Sequence, residues 1–242
     1  MNLGRRAAAA LLVAVLLLAG PLGRFGAGIG PAPAVAGVGD FVAGQPGCGR
    51  VALIFNVGSG FDPALGMMDT LASYGVPATI FMMGWWVDWY PDAANYIASF
   101  GYPIGSHGNL PPEYTVRSDD DIMNDVWATE AAFHRQLGFA PGPWFTAFAG
   151  ASDARVNALV ANLGYTMIGW EVETGDWDPN VSASMIYDRV MTQVYDGAII
   201  ELHLDSAGST YTTATALPWI IEDLSAQGYT FVTIPQMMQP CY

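Results

Sequence analysis

From Val51 onward, short apolar runs alternate with longer stretches whose apolar residues recur at helical spacing. Val51-Ala52-Leu53-Ile54-Phe55 predicts a buried strand, ended by Gly58 and Gly60. Pro63 can open a helix that shows Leu65, Met68, Leu71 and Ala72 on one face before Gly75 stops it. Val76–Met83 predicts a second strand, Pro91–Phe100 a helix closed by Gly101, and Tyr102–Gly105 a short strand. Ser118 caps the next helix, with Asp121 three residues on and Ile122, Val126, Phe133 and Leu137 at helical spacing up to Gly138. The rest follows the same rule. Trp144–Phe148, Thr166–Val172, Ala198–His203 and Tyr229–Ile234 read as extended; Asp153–Leu163, Met185–Val194 and Ala216–Gln227 read as helical.

Strand–helix alternation of this kind means an α/β fold, a mainly parallel sheet with its helices outside. Six or seven such units can close into a barrel, whose functional residues gather on the loops at the C-terminal ends of the strands. A length of 242 residues suits one sizeable domain, and no fixed-period repeat or low-complexity linker divides it.

Composition narrows the partners. Eight arginines and no lysine face 22 acids, for a net charge of −14. Nucleic acid and anionic membrane surfaces need clustered positive charge, so neither is expected as a partner. Residues 1–36 differ from the rest: Arg5 and Arg6, an apolar run Ala7–Leu18, a break at Gly20-Pro21 and a small-x-small site at Ala34-Val35-Ala36. That is the layout of a secretory signal peptide; an uncleaved anchor is the alternative, although the run is short of the ~20 residues that span a bilayer. Removing this segment takes away three arginines and no acid, which deepens the net charge from −14 to −17. The expected organisation is therefore a signal peptide at 1–36, an N-terminal extension at 37–49 and one domain at 50–242. The product is secreted or extracytoplasmic, without stable membrane association after cleavage, and monomeric.

Export bears on Cys48 and Cys241, which lie near the two ends of the mature chain. In an oxidising compartment such a pair reads as one disulfide, worth about 4 to 5 kcal/mol in the chain-entropy model; two free thiols are the other reading.

The predicted strand ends carry Asn56-Val57-Gly58, Ser106-His107-Gly108, Thr146, Glu173 with Asp176-Trp177, and Glu201-Leu202-His203. With LASYGVPATIFMMG at 71–84, GYPIGSH at 101–107, LGYTMIGWEVETGDW at 163–177 and GAIIELH at 197–203, the chain resembles the polysaccharide deacetylases with a NodB-homology domain. The resemblance runs over about Arg50–Pro235. It implies a single deformed (β/α) barrel, a divalent metal, and hydrolysis of the carbon–nitrogen bond of N-acetylated sugars.

Such hydrolysis needs an activated water, stabilisation of the oxyanion and an acid for the leaving group. The family's first motif, Thr-Phe-Asp-Asp-Gly, reads Ile54-Phe55-Asn56-Val57-Gly58 here, so Asn56 stands at the base position and Val57 at a metal-ligand position. The second, His-x-x-x-His, keeps His107 and replaces the other ligand by Pro111. The third, Arg-Pro-Pro-Tyr-Gly, becomes Thr146-Ala147-Phe148-Ala149-Gly150 and loses the arginine that orients the base. Asp176-Trp177 and His203 match the residues that orient the acid, wall the acetyl pocket and serve as the acid. Glu201 replaces an apolar wall, and strand parity would place it on one face with His203 and Asp205 as an acidic cluster.

A catalytic metal normally has three protein ligands, and one is left. No cofactor is expected, with a divalent metal (zinc, cobalt or nickel) only if the site has been rebuilt. The resulting expectation is a carbohydrate-binding pseudoenzyme for acetylated polysaccharide or cell-wall glycan. The alternative is an active amide hydrolase rebuilt on Glu201, Asp176 and His203, and a third reading is an interaction protein without sugar affinity. The His203–Asp176 pair fits either a relict that satisfies buried groups or a working acid. Trp177, Trp85 and Trp86 are candidate sugar-stacking residues, core packing being the other reading of the Trp85–Tyr90 cluster. His134 reads as a surface residue, and Asp119-Asp120-Asp121 as acids in a helix's first turn rather than a calcium loop.

Overall fold

The apolar run at the start of the domain becomes the central strand β1 (Arg50–Val57), buried along almost its whole length. In this computed structural model, which describes residues 41–241, eight parallel strands form one curled sheet. They are β1, β2 (Thr79–Met82), β3 (Ile104–Ser106), β4 (Trp144–Phe145), β5 (Thr166–Met167), β6 (Val172–Glu173), β7 (Ile199–His203) and β8 (Thr230–Phe231). The order is β5-β4-β3-β2-β1-β7-β6, with β8 paired to the first residues of β1. The helices are α1 (Gly66–Tyr74), α2 (Gly84–Trp89), α3 (Pro91–Ser99), α4 (Asp119–Gln136), α5 (Ala154–Asn162), α6 (Ala183–Gln193), α7 (Thr213–Ala226) and α8 (Ile234–Met237). The expected signal peptide lies outside the described residues. Within them, no helix is long and apolar enough to cross a membrane.

Strand parity sorts the sheet into two faces. Leu53, Phe55, Val57, Ile80, Met82, Ile200 and Leu202 belong to the larger apolar cluster, shared with the helices. Ala52, Ile54, Phe81, Ile199 and Ile168 belong to a second cluster inside the curl, closed below by Ile234 and Met237. Farther along the same inner face the residues turn polar, and this change is what positions the site. Ser118 caps α4 as expected, accepting a hydrogen bond from the Asp121 amide at 3.2 Å, and His134 is exposed.

Two expectations change, and one helix appears where none was predicted. Thr166–Val172 is not one strand: β5 and β6 lie at opposite edges of the sheet, and the chain crosses the opening between them at 168–171. Apolar content alone could not reveal that break. The opening is partly bridged by the N-terminal extension, because the Phe41 amide donates to the Met167 carbonyl (2.9 Å) and the Gly44 amide to the Gly197 carbonyl (2.8 Å). Gly197, at φ 98°, is needed there: a Cβ would stand 2.7 Å from the Gly44 carbonyl oxygen. Gly84–Trp89 is a short helix that its aromatic run conceals, lacking a polar face. The last predicted strand shortens to β8, since Thr233 and Gln236 form a capping box that starts α8.

Cys48 and Cys241 are disulfide-bonded across 193 residues, with a Cα–Cα distance of 5.8 Å. Without lysine, neighbouring helices are joined by tyrosine hydroxyls donating to carboxylates. Tyr96 to Asp69 links α3 to α1, Tyr74 to Glu222 links α1 to α7, and Tyr187 to Asp223 links α6 to α7.

Candidate active site

The polar end of the inner face is built from neighbouring strands. The β1–β7 register sets Asn56 beside His203 and Ile54 beside Glu201, so Asn56, Glu201 and His203 all face inward from two adjacent strands. His107 follows β3, Thr146 follows β4, and Asp176 comes from the loop after β6. Five of the six are buried, and His203 keeps a little exposure.

Hydrogen bonds and one charged contact, between His203 and Glu201, join them into a chain. Asp176 Oδ1 lies 2.8 Å from His203 Nδ1, while its Oδ2 accepts from the His203 amide (2.9 Å) and the Thr213 hydroxyl (2.8 Å). His203 Nε2 is 3.2 Å from Glu201 Oε1. The same oxygen accepts from Asn56 Nδ2 at 3.1 Å. Asn56 Oδ1 accepts from the Thr146 hydroxyl at 2.9 Å, and His107 Nδ1 sits 2.8 Å from that hydroxyl and 3.0 Å from the Thr146 carbonyl. With the hydroxyl proton committed to Asn56, Nδ1 of His107 must carry the donor hydrogen.

The two histidines are tuned apart. Burial pushes His107 down, the positive charge of His203 pushes it further, and its pKa falls to about 3, so it is neutral. Burial also opposes the charge on His203, but Glu201 and Asp176 on its two nitrogens outweigh that and raise it to about 10. Burial raises the Glu201 carboxyl to about 7, the His203 charge offsetting only part of the rise. The result is a His203 ring held between two acidic side chains, Asp176 on Nδ1 and Glu201 on Nε2.

Sequence-predicted residues divide accordingly. Asn56, His107, Asp176, Glu201 and His203 converge. Asp205 does not join an acidic cluster: β7 ends at His203, and the Asp205 carboxylate turns to accept from the Gly58 and Gly60 amides, each at 3.1 Å. Val57 faces the helices inside the larger apolar cluster, and Pro111 is exposed on the loop after β3. Asp125 shapes that loop, accepting from the Leu110 amide (3.2 Å), the Tyr114 hydroxyl (2.6 Å) and Arg117 (2.7 Å). Trp86 is fully buried in the core, which removes it from the candidate sugar-stacking surface, whereas Trp177 is 47% exposed and Trp85 is partly exposed beside Trp89. Thr213 was missed, and Thr146, placed at a strand end from sequence, had no role assigned to it. Thr146 is an isolated hydroxyl and Thr213 one of several in the run 209–215, and only the strand register shows Thr146 reaching both β1 and β3.

The residues present do not fit the divalent metal that the resemblance implies. Of its three ligand positions, one is apolar and faces the helices and one is proline, so His107, its Nδ1 fixed by Thr146, is left as a single ligand where three are needed. Asp176, Glu201 and His203 do bring one ligand atom each within 4.8 Å of one another. Yet the two carboxylates occupy opposite nitrogens of a single imidazole. One cation cannot sit on both sides of that ring, so the arrangement is an ion-paired triad.

With this geometry in view, comparisons with known proteins give the family. The sequence model described as Polysaccharide deacetylase matches residues 43–168, more than half of the chain. The chain belongs to the polysaccharide deacetylase family. The peptidoglycan-N-acetylglucosamine deacetylase PgdA of Listeria monocytogenes is 31% identical over 189 residues, 78% of this chain but 38% of PgdA, so the chain spans well under half of that relative. The peptidoglycan-N-acetylglucosamine deacetylase of Bacillus cereus is 29% identical over 78% of this chain and 68% of its own. Among solved structures, BA3943 of Bacillus anthracis, described as a CE4-family pseudoenzyme, superposes with a TM-score of 0.75 at 26% identity, over 82% of this chain and 68% of that one. The curled parallel sheet is the deacetylase barrel of these neighbours.

Proposed function

We propose that this deacetylase-family protein is an extracytoplasmic glycan-binding pseudoenzyme that has lost the family's metal-dependent hydrolysis. The observation that carries the reading is the capping of His203 Nε2 by Glu201 at 3.2 Å. The nitrogen that would protonate a leaving amine is tied to a carboxylate of the chain itself. Asn56 cannot abstract a proton, and two metal-ligand positions hold Val57 and Pro111. The BA3943 likeness supports the reading, since an inactive member of this fold exists among its structural neighbours. Relatives named for peptidoglycan deacetylation support an acetylated cell-wall glycan as the ligand and an extracytoplasmic location, reached through the expected signal peptide. Trp177 and Trp85, with Trp89 75% exposed, offer indole faces for sugar rings beside the strand ends. A monomer is the proposed working form.

The test is a paired measurement on the exported chain. Incubation with zinc, cobalt, nickel or manganese followed by dialysis should leave no stoichiometric metal, and binding to insoluble peptidoglycan or chitin should persist. Retained metal that disappears in His107→Ala overturns the loss of metal chemistry, and no binding to any glycan overturns the ligand assignment.

The intact Asp176–His203 pair favours a second reading, a hydrolase rebuilt on Glu201, Asp176 and His203. It requires turnover of an N-acetylated oligosaccharide that is abolished in His203→Ala; turnover unchanged in that variant rejects it.

A further inference from the structure

Acyl hydrolysis by one base and one acid requires the reacting carbonyl to lie between them. In this chain the space between the base position, Asn56, and the acid position, His203, is already filled. Glu201 Oε1 is 3.1 Å from Asn56 Nδ2 and 3.2 Å from His203 Nε2. What occupies the gap is a carboxylate on a methylene, which is the chemical form of acetate, tethered to β7. Both donors are oriented by third groups that do not depend on Glu201. Thr146 holds the Asn56 carbonyl oxygen at 2.9 Å, which leaves Nδ2 toward the gap, and Asp176, itself held by Thr213, fixes His203 Nδ1 and so keeps Nε2 at the gap's edge.

We propose that Glu201 is a built-in product mimic: its carboxylate sits in a preformed small-carboxylate site between Asn56 and His203 and keeps that site closed. The inference rests on the reading of these two positions as the former base and acid. It makes Glu201 the specificity-determining residue of the pocket, and it names the ligand class that the pocket accepts when the tether is absent: a short-chain carboxylate.

The tether length gives a sharp test. Glu201→Ala removes Cγ, Cδ and both carboxylate oxygens, the heavy atoms of acetate; Glu201→Gly removes one carbon more, the heavy atoms of propionate. The Ala variant should therefore prefer acetate and the Gly variant propionate. Acetate at about 100 times its Kd should raise the Tm of the Ala variant by about 5 to 10 °C over chloride of equal ionic strength. The wild-type protein and Glu201→Gln, whose side chain still fills the gap, should show no such rise. If either small variant melts in chloride, its matching carboxylate must restore a cooperative transition. Equal response to acetate and chloride, equal response of wild type and Ala variant, or failure of the carboxylate to restore folding overturns the inference. Glycan binding by the wild type separates the two readings. Binding with no carboxylate effect overturns this inference alone, and a carboxylate effect with no glycan binding overturns the ligand assignment alone.

Discussion

The strand ends of this barrel fall into two halves of opposite electrostatic character. Around β1, β3 and β4, the positions where the family resemblance implies charge and metal ligands are neutral or apolar. Asn56 and Thr146 are uncharged, Val57 has joined the hydrophobic cluster, and buried His107 is held neutral. Around β6 and β7, ionisable groups gather, for Asp176 and His203 pair at 2.8 Å and Glu201 adds a second acidic group to the same ring. The contrast has a physical reason. A buried carboxylate without a cation is costly, so a metal site that loses its ion is relieved by neutral residues. The His203 side carries its own cation and can afford both carboxylates.

The largest expected effect sets one histidine against the other. His203→Ala leaves Asp176 and Glu201 buried without their shared counter-charge and should cost stability at the upper end of about 3 to 5 kcal/mol. His107→Ala removes a neutral ring whose hydrogen bond goes to Thr146 and should cost about 1 to 3 kcal/mol. Denaturant melts of the two variants check this. Equal losses would mean that His107 carries charge after all, and the contrast between the halves would collapse.

A somewhat smaller effect probes how far the metal side has become core. Val57→Asp places a carboxylate in the apolar layer under the helices and should cost about 3 kcal/mol, with zinc returning none of it. A variant that takes up stoichiometric zinc at wild-type stability would show the metal side to be one substitution from function.

The sequence made the contrast partly legible. Strand–helix alternation and the stretches around Gly84, His107, Asp176 and His203 were enough for the barrel and for five of the residues in the polar chain. Two kinds of information were missing. Side-chain direction depends on where a strand stops: because β7 ends at His203, Asp205 turns to the Gly58–Gly60 amides instead of continuing the inward face. Single hydroxyls carry no periodic signal, so Thr146 becomes visible as a link only when β4 is placed next to β3.

Acidity should move the two histidines in opposite senses. His203, raised to about 10 from 6.5, contributes stability that is fully present below pH 6.5 and lost as pH rises toward 10. His107, lowered to about 3, contributes the reverse: the unfolded chain takes up its proton first, so stability falls as pH drops from 6.5 toward 3. Ring-proton NMR titration of the three histidines should show one that stays protonated into alkaline pH and one that stays neutral into acid, with exposed His134 as the third. Two buried rings titrating together near neutrality would break the distinction.

The smallest effect tests whether the halves are coupled at all. Thr146 is the bridge between His107 and Asn56, and through Asn56 it reaches Glu201 and His203. Thr146→Val keeps the shape and removes the hydroxyl, leaving Asn56 Oδ1 without that donor and His107 Nδ1 with only the Thr146 carbonyl. The expected cost is about 1 to 2 kcal/mol. More telling is its non-additivity. If Thr146 holds the Asn56 amide toward Glu201, then combining Thr146→Val with Glu201→Gln should cost less than the two separate losses together, since the orientation that Thr146 enforces is worth less once the carboxylate is gone. Strict additivity in this double-mutant cycle would show that the neutral and the charged sides share a cavity without sharing energy, and that Asn56 keeps its direction by packing alone.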